Sequence, residues 1–332
     1  MSLQSPPISP PDADFESLVA VGQSAAQRSI AVIGDAWTLR VLRTVFRGKR
    51  RYGDFIKEFG VSRAVLTDRL NKLVEHEVLL RDTREGKHPE YRLTERGLDL
   101  WPLFLAMWVW ESDWGTGQDQ DTWAPDLPRR QVVHTGCGHP MRPQFKCLHC
   151  QQAVLPFETT AIDATSQTDP QAFTAAPLAV APEITSSFRR ERQDALHNTS
   201  TLQAQRLVRV IGDRWNSAVV AAAFRAVRTF SGFEQALGIG PAQLSMRLAE
   251  LQKLGILSTR TYAGSRMAYR LTKAGIALFP VTLELVRWGN RWYWPGTPAF
   301  TVQHLQCNNP LEARWHCGHC EAELVRETVR FA

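Results

Sequence analysis

"IAVIGDAWTLRVLRTVF" runs from Ile30 to Phe46, and "VRVIGDRWNSAVVAAAF" runs from Val208 to Phe224. Both hold Ile-Gly-Asp-x-Trp at the same place. In the first, Ile30, Ile33, Trp37, Val41 and Val45 recur at helical spacing, broken or tightened near Gly34-Asp35, where Asp35 can cap the helix that follows. Gly34 aligns with Gly212, an offset of 178 residues that continues without a gap through Leu66/Leu244, Arg69/Arg247, Tyr91/Tyr269, Trp110/Trp288 and Trp114/Trp292. A period this long means duplicated domains, not a solenoid of small units.

The first copy continues with "RYGDFIKEFG" (Arg51–Gly60), a short helix with Gly60 as its stop. In "VSRAVLTDRLNKLVEHEVL", Ser62 is an N-cap and Leu66, Leu70 and Leu73 form one apolar face. Two strand-like arms around Glu85-Gly86-Lys87-His88 read as a hairpin, matched in copy two by a hairpin with Gly264-Ser265-Arg266 at its tip. A long apolar helix, Glu95 to Trp114, closes the unit. This order is the winged helix-turn-helix plan, in which the face opposite Leu66 is left free to enter a major groove. The expected fold is mainly α with small β-hairpin wings (α+β): tandem winged helix-turn-helix domains, each followed by a His-x2-Cys-x9-Cys-x2-Cys segment that suits a small C-terminal zinc ribbon or knuckle. The expected boundaries are a disordered tail (1–15), winged unit one (16–128), knuckle one (129–157), an Ala/Thr/Pro-rich linker (158–187), winged unit two (188–298) and knuckle two (299–332). A strap packed on one of the domains is the alternative reading of the linker.

"VIGDAWTLRVLR", "SRAVLTDRLNKLVEHEVLLR" and "EYRLTERGLDLWPLF" resemble the HxlR-type bacterial transcriptional regulators over about 90 residues of each copy, and copy two keeps "VIGDRW", "LSMRLAEL" and "YRLTKAG". The resemblance implies a winged helix, dimeric binding to operator DNA and response to a chemical signal. Two departures stand out. The family is usually one domain per chain, so two copies suggest an intrachain pseudo-dimer through the aromatic terminal helices, with a homodimer of whole chains as the further option. Redox-sensing members carry a cysteine before the first core helix, where this chain has Ser24 and, in copy two, residues near Leu202.

The candidate DNA contacts in copy one are Ser62, Arg63, Ala64, Thr67, Arg69, Asn71 and Lys72 on the reading helix, Lys49, Arg50 and Arg51 before it, and Lys87 and His88 on the wing. Arg63 can fork onto guanine or phosphate and Asn71 can pair adenine. Arg69, which recurs as Arg247, can instead brace the fold. Asp68 can steady Lys72 one turn on or accept from a cytosine amine. Copy two offers Gln243, Ser245, Arg247 and Arg266, with Pro241 in place of Arg63, so the two halves are expected to contribute unequally.

All six cysteines fall in two copies of His-x2-Cys-x9-Cys-x2-Cys: His134, Cys137, Cys147 and Cys150, then His304, Cys307, Cys317 and Cys320. Three thiolates and one imidazole suit tetrahedral zinc, and four protein ligands per ion make two structural sites per chain, expected to form within each ribbon. His149 and His319 compete with His134 and His304 as the fourth ligand. Trp101, Phe104, Trp108, Trp110 and Trp114, with Phe279, Trp288, Trp292, Tyr293 and Trp294, read first as core or dimer interface. They read second as a cage for a small aromatic effector between the halves.

The formal charge of +6 permits a polyanionic partner without demanding one, and the 44% apolar content is enough for two cored domains. The most apolar run, Leu98–Trp110, is too short to span a bilayer. No secretory leader is visible, so a cytoplasmic protein with reduced thiols is expected. No phosphate loop, nucleophile elbow or open metal site is present, which disfavours an enzyme. The expected function is a sequence-specific, double-stranded-DNA-binding transcriptional regulator, with repression the expected direction. The competing reading is a zinc-ribbon adaptor whose winged helices dock protein.

Overall fold

The computed structural model describes residues 25–83, 89–114, 132–163, 205–262, 266–293 and 300–331. Copy one comprises α1 (Ala25–Ile33), α2 (Ala36–Phe46), α3 (Tyr52–Phe59), α4 (Arg63–Glu75), β1 (Leu79–Asp82), β2 (Glu90–Leu93), α5 (Glu95–Leu98) and α6 (Trp101–Trp114). Copy two repeats it as α7 (Gln205–Ile211), α8 (Arg214–Phe224), α9 (Phe230–Leu237), α10 (Pro241–Lys253), β7 (Leu257–Tyr262), β8 (Arg266–Leu271), α11 (Lys273–Ile276) and α12 (Phe279–Tyr293). The ribbons supply β3 (Val132–His134), β4 (His139–Met141), β5 (Pro143–Cys147) and β6 (Thr159–Asp163), then β9 (Phe300–His304), β10 (Asn309–Pro310), β11 (Ala313–Cys317) and β12 (Val329–Phe331).

The local chemistry follows the residue pattern. Asp35 caps α2, accepting from the Trp37 and Thr38 N–H groups, and Asp213 does the same for Trp215 and Asn216. Gly60 and Gly238 end α3 and α9 in the left-handed conformation, at φ 60° and 59°. The repeated Thr-x-x-Gly after the wing has a steric cause. Thr94 caps α5, and a Cβ on Gly97 would lie 2.2 Å from the Val78 carbonyl oxygen. The wings are antiparallel hairpins, Leu79 opposite Leu93 and Leu257 opposite Leu271. The long helix expected from Glu95 to Trp114 is interrupted at Asp99–Leu100, and the second piece begins with Pro102 in its first turn, where a missing N–H costs nothing.

The two copies pack as a pseudo-dimer within one chain. The buried indole N–H of Trp110 donates to the Ala274 carbonyl (2.8 Å), and that of Trp288, its repeat equivalent, donates to the Arg96 carbonyl (2.9 Å). Equivalent residues also face each other directly. A Cβ on Gly212 would come within 3.3 Å of the Gly34 carbonyl oxygen, and Phe145 of β5 sits opposite Trp315 of β11. These two places mark an internal pseudo-dyad.

The ribbons are interlaced across that dyad. β5 pairs with β11, β12 adds to β3–β4, and β6 adds to β9–β10, all antiparallel. Thus Thr159–Asp163, which reads as the start of the linker, is a strand of the other ribbon's sheet, with Thr159 opposite His304 just as Val329 is opposite His134. The rest of that linker and the N-terminal tail lie outside the described residues.

The dyad is imperfect at one packing contact. Ser29 of α1 donates to the Leu285 carbonyl of α12 (2.7 Å), and Gly289 lets the α1 backbone in so closely that a Cβ would lie 2.1 Å from the Ala25 oxygen. The repeat equivalent of Gly289 is Glu111 of α6. Burial pushes its carboxyl up to about 8, with Arg43 pulling the other way.

Two outcomes are expected. Asp35→Ala removes a cap and the buried partner of Arg69, leaving that guanidinium with the exposed Asp68, and should cost about 2 kcal/mol or more in urea unfolding; a loss below about 0.5 kcal/mol would contradict the brace described below. Glu111 is neutral when folded and ionised above its ordinary 4.5 when unfolded, so its contribution is full below 4.5 and is lost as pH rises through about 8. The melting temperature of Glu111→Gln should therefore draw ahead of the parent between pH 5 and pH 8.5, and a pH-independent gap would refute this.

Candidate DNA-reading helices and metal-binding clusters

α4 presents its Leu66, Leu70 and Leu73 face to the core, which turns Arg63, Ala64, Thr67, Asp68 and Asn71 outward. Ser62 caps the helix, accepting from the Val65 N–H (3.4 Å). Tyr52 of α3 locks the helix start: its hydroxyl donates to the Arg63 carbonyl (3.1 Å) and lies 3.2 Å from the Thr67 hydroxyl. The Arg63 side chain remains exposed. Of the cations before the motif, Arg50 is exposed, Lys49 holds Glu58 (2.8 Å) and Arg51 reaches Glu90 (3.5 Å).

Two of the candidate contacts turn inward. Arg69 is only 13% exposed; it bonds Asp35 (3.1 Å) and also grips Asp68. Arg247 repeats the arrangement with Asp213 (3.1 Å) and Glu250 (3.3 Å). These arginines brace the reading helices α4 and α10 against the caps of α2 and α8. Lys72 is half-buried, and its pKa is lowered by burial, with Asp35 opposing. Asp68 is thus held by Arg69, not by Lys72. Lys87 and His88 lie outside the described residues, as does the side chain of Arg266.

Copy two offers less. Pro241 opens α10, Gln243 is half-buried, Ser245 is exposed and Met246 is 59% exposed. Lys49, Arg50 and Arg51 become Val227, Arg228 and Thr229, and Arg228 turns back on the Ala223 carbonyl (2.6 Å). Sequence reasoning offered Arg69 and Arg247 as braces but missed Tyr52 and the aspartates that the two arginines hold. The joint recurrence of Asp35 with Arg69 and of Asp213 with Arg247 was the available signal for the brace.

The cysteines and histidines gather into two clusters that can hold metal ions: His134, Cys137, Cys317 and Cys320, and Cys147, Cys150, His304 and Cys307. All eight candidate ligands are used, but each cluster joins the His-x2-Cys of one copy to the Cys-x2-Cys of the other. The within-ribbon grouping is therefore replaced by a crossed one. The reason is the extended arm His139–Cys147, interrupted only at Arg142, which at about 3.3 Å per residue carries Cys147 away from Cys137.

Within each cluster the ligand atoms lie within 4.8 Å of one another. The Sγ atoms of Cys137 and Cys317 are 3.9 Å apart, as are those of Cys147 and Cys307. A tetrahedral ion with metal–sulfur bonds of about 2.3 Å spaces two sulfurs by about 3.8 Å. The histidines present Nδ1: His134 to Cys320 (3.2 Å), His304 to Cys150 and Cys307 (both 3.4 Å). His134 and His304 are buried and complete the clusters, whereas the rings of His139 and His319 stack 3.9 Å apart on the outside. The turn residues Gly138, Gln151, Asn308 and Glu321 all have positive φ, so each knuckle folds its chain tightly behind its sulfurs. Donation from the Asn309 backbone N–H, then His304 and the Asn309 side chain, brings the Cys307 thiol down to about 6, which favours the thiolate a metal needs.

The fold and site define a tandem winged helix-turn-helix protein with interlaced, metal-competent ribbons. The chain belongs to the HxlR-like helix-turn-helix family, whose model matches residues 32–119 and 210–296, just over half of the chain. An uncharacterized HTH-type transcriptional regulator of Mycobacterium tuberculosis is 32% identical over 139 residues, 41% of this chain and 88% of the relative. Similar regulators from Synechocystis sp. (36% over 91 residues, 26% of this chain and 67% of the relative) and Bacillus subtilis (30% over 94 residues, 27% and 87%) also match. The coverage makes the first relative about the length of one repeat. No helix among the described residues is long and apolar enough to cross a membrane.

The crossed clusters make a sharp prediction about metal content, read by mass spectrometry of zinc-reconstituted protein. Cys147→Ser with Cys307→Ser should remove one ion of two, and Cys137→Ser with Cys147→Ser should remove both. The reverse result would restore the within-ribbon grouping.

Proposed function

We propose that this chain is a DNA-binding transcriptional regulator in which α4 of copy one supplies most of the groove contacts, and that it acts chiefly as a repressor in the cytoplasm. One observation carries this reading: in a member of this family, Arg63, Thr67 and Asn71 face outward from a helix pinned by Tyr52 and by the Asp35–Arg69 brace. Arg63 and Asn71 are assigned to bases, and Arg50 with the residues around Ser62 to phosphates. Gln243 and Ser245 of copy two make weaker contacts, with no cation at the helix start. One chain supplies both halves, so the DNA-bound unit is a single chain.

Both clusters are assigned zinc in a structural role. Three sulfurs and one nitrogen select a borderline-soft ion, and four protein ligands leave no position for substrate. Each ion then fastens the two copies to each other at points far apart in the chain, where an added link restricts the unfolded chain most.

A second reading is favoured by one feature of copy two. The outward face of α10 carries Ala242, Met246 and Ala249, an uncharged surface suited to protein contact. In that reading copy two docks a protein while copy one holds DNA.

Operator fragments selected from random DNA by the purified protein test the proposal. Arg63→Ala should weaken binding by about 1–3 kcal/mol, measured by fluorescence anisotropy, while Gln243→Ala costs under about 0.5 kcal/mol. Affinity should fall steeply with salt. Equal losses in the two variants would defeat the assignment to copy one, and salt-independent binding would favour protein docking.

A further inference from the structure

A cavity of about 490 Å³ lies between α2 and α3 of copy one, α6, α7 and the C-terminal strand β12. Its volume is in the range of about 300–1,000 Å³ usual for small-molecule sites. The walls are aromatic: Phe104 packs on Phe46 (ring centroids 5.1 Å), and Trp108 on Phe331 of the distant ribbon (5.5 Å). The polar groups are of one main kind. Arg40 and Arg43 stand one helical turn apart on α2, Arg47 follows on the same helix, and Arg326 enters from the end of the chain. The acids are Glu58, already held by Lys49, and Glu111, whose accessible surface opens into the cavity.

The internal repeat supplies a control. The equivalents of Arg40, Arg43, Glu58 and Glu111 are Ala218, Ala221, Ala236 and Gly289, and that of Arg326 is Pro156. On the copy-two side Gly289 admits the α1 backbone against α12. Arg47 alone keeps its charge, as Arg225; charge at the other five positions on one side and uncharged, mostly small residues at their matches on the other do not follow from the fold, which both sides share. A solvated charged surface would not be walled by Phe104, Trp108 and Phe331.

We infer that this cavity is a binding site for a small planar aromatic carboxylate, its ring between Trp108, Phe104 and Phe331 and its carboxylate on Arg43 and Arg40. A guanidinium binds a carboxylate through two parallel N–H···O bonds, which an amide or an amine cannot match. Burial, then the neighbouring Arg43, lowers the Arg40 pKa, so an anion placed between them relieves a like-charge contact. Glu111, protonated at neutral pH, donates its O–H to the same anion. The ligand would touch the DNA-reading unit of one copy and the last strand of the other copy's ribbon, the place from which a bound molecule can bias how the two halves sit.

The test needs no DNA, so its outcome is independent of the regulatory reading. Isothermal titration calorimetry of the full-length protein with 2-naphthoate should show one site per chain, and 2-naphthamide should bind at least tenfold more weakly. Arg43→Gln should weaken 2-naphthoate at least tenfold with circular dichroism unchanged. Phe331→Ala, at a residue 44% exposed near the chain end, is the second variant and should weaken both compounds alike. Absence of saturable heat with 2-naphthoate up to millimolar concentration, equal affinity for the amide, or unaltered binding by both variants would overturn the assignment.

Discussion

The strand pairing of β5 with β11, centred on Phe145 opposite Trp315, is the constraint on which the molecule depends. It joins the two ribbons and places the knuckle of one beside the His-x2-Cys of the other. Once those strands are paired, both clusters must be shared, and the terminal helices that lead into the ribbons meet at the same dyad. The Trp110 and Trp288 bonds across the copies secure that meeting. Buried donors with a single partner hold a relative position far better than apolar contact alone, because loss of the partner strands the donor.

Inside each winged unit a second constraint works locally. Asp35 and Asp213 each satisfy helix-end N–H groups and an arginine from the reading helix at once. A carboxylate so placed fixes the angle between two helices through charge-assisted bonds in a nearly dry setting. The exposed face of α4 therefore inherits its aim from residues that are themselves largely buried.

Much of this was legible in the residues. The repeat, the helix order, the caps at Asp35 and Ser62, the stop at Gly60 and the eight cluster residues follow from local chemistry, where spacing and residue type suffice. What escaped was long-range. Nothing in His-x2-Cys-x9-Cys-x2-Cys states which copy of the knuckle a histidine will meet, since either pairing satisfies the same ligand count. Thr159–Asp163 read as linker because an edge strand needs no periodicity of its own when its partner supplies the pairing. In the residues alone Arg69 stands between DNA contact and brace, because its acceptor is 34 residues away. The asymmetry of the Glu111 cavity was hidden for the opposite reason: it shows only when each repeat position is compared with its counterpart in three dimensions.

The interlacing also dictates an order of events at the ribosome. His134 waits for Cys320, which is made 186 residues later, and Cys150 waits for His304, 154 residues on. The leading winged unit can be complete while its own thiols remain without their mates, so a nascent chain carries three unligated cysteines until translation is nearly done. Any product cut short before Cys317 lacks one cluster altogether.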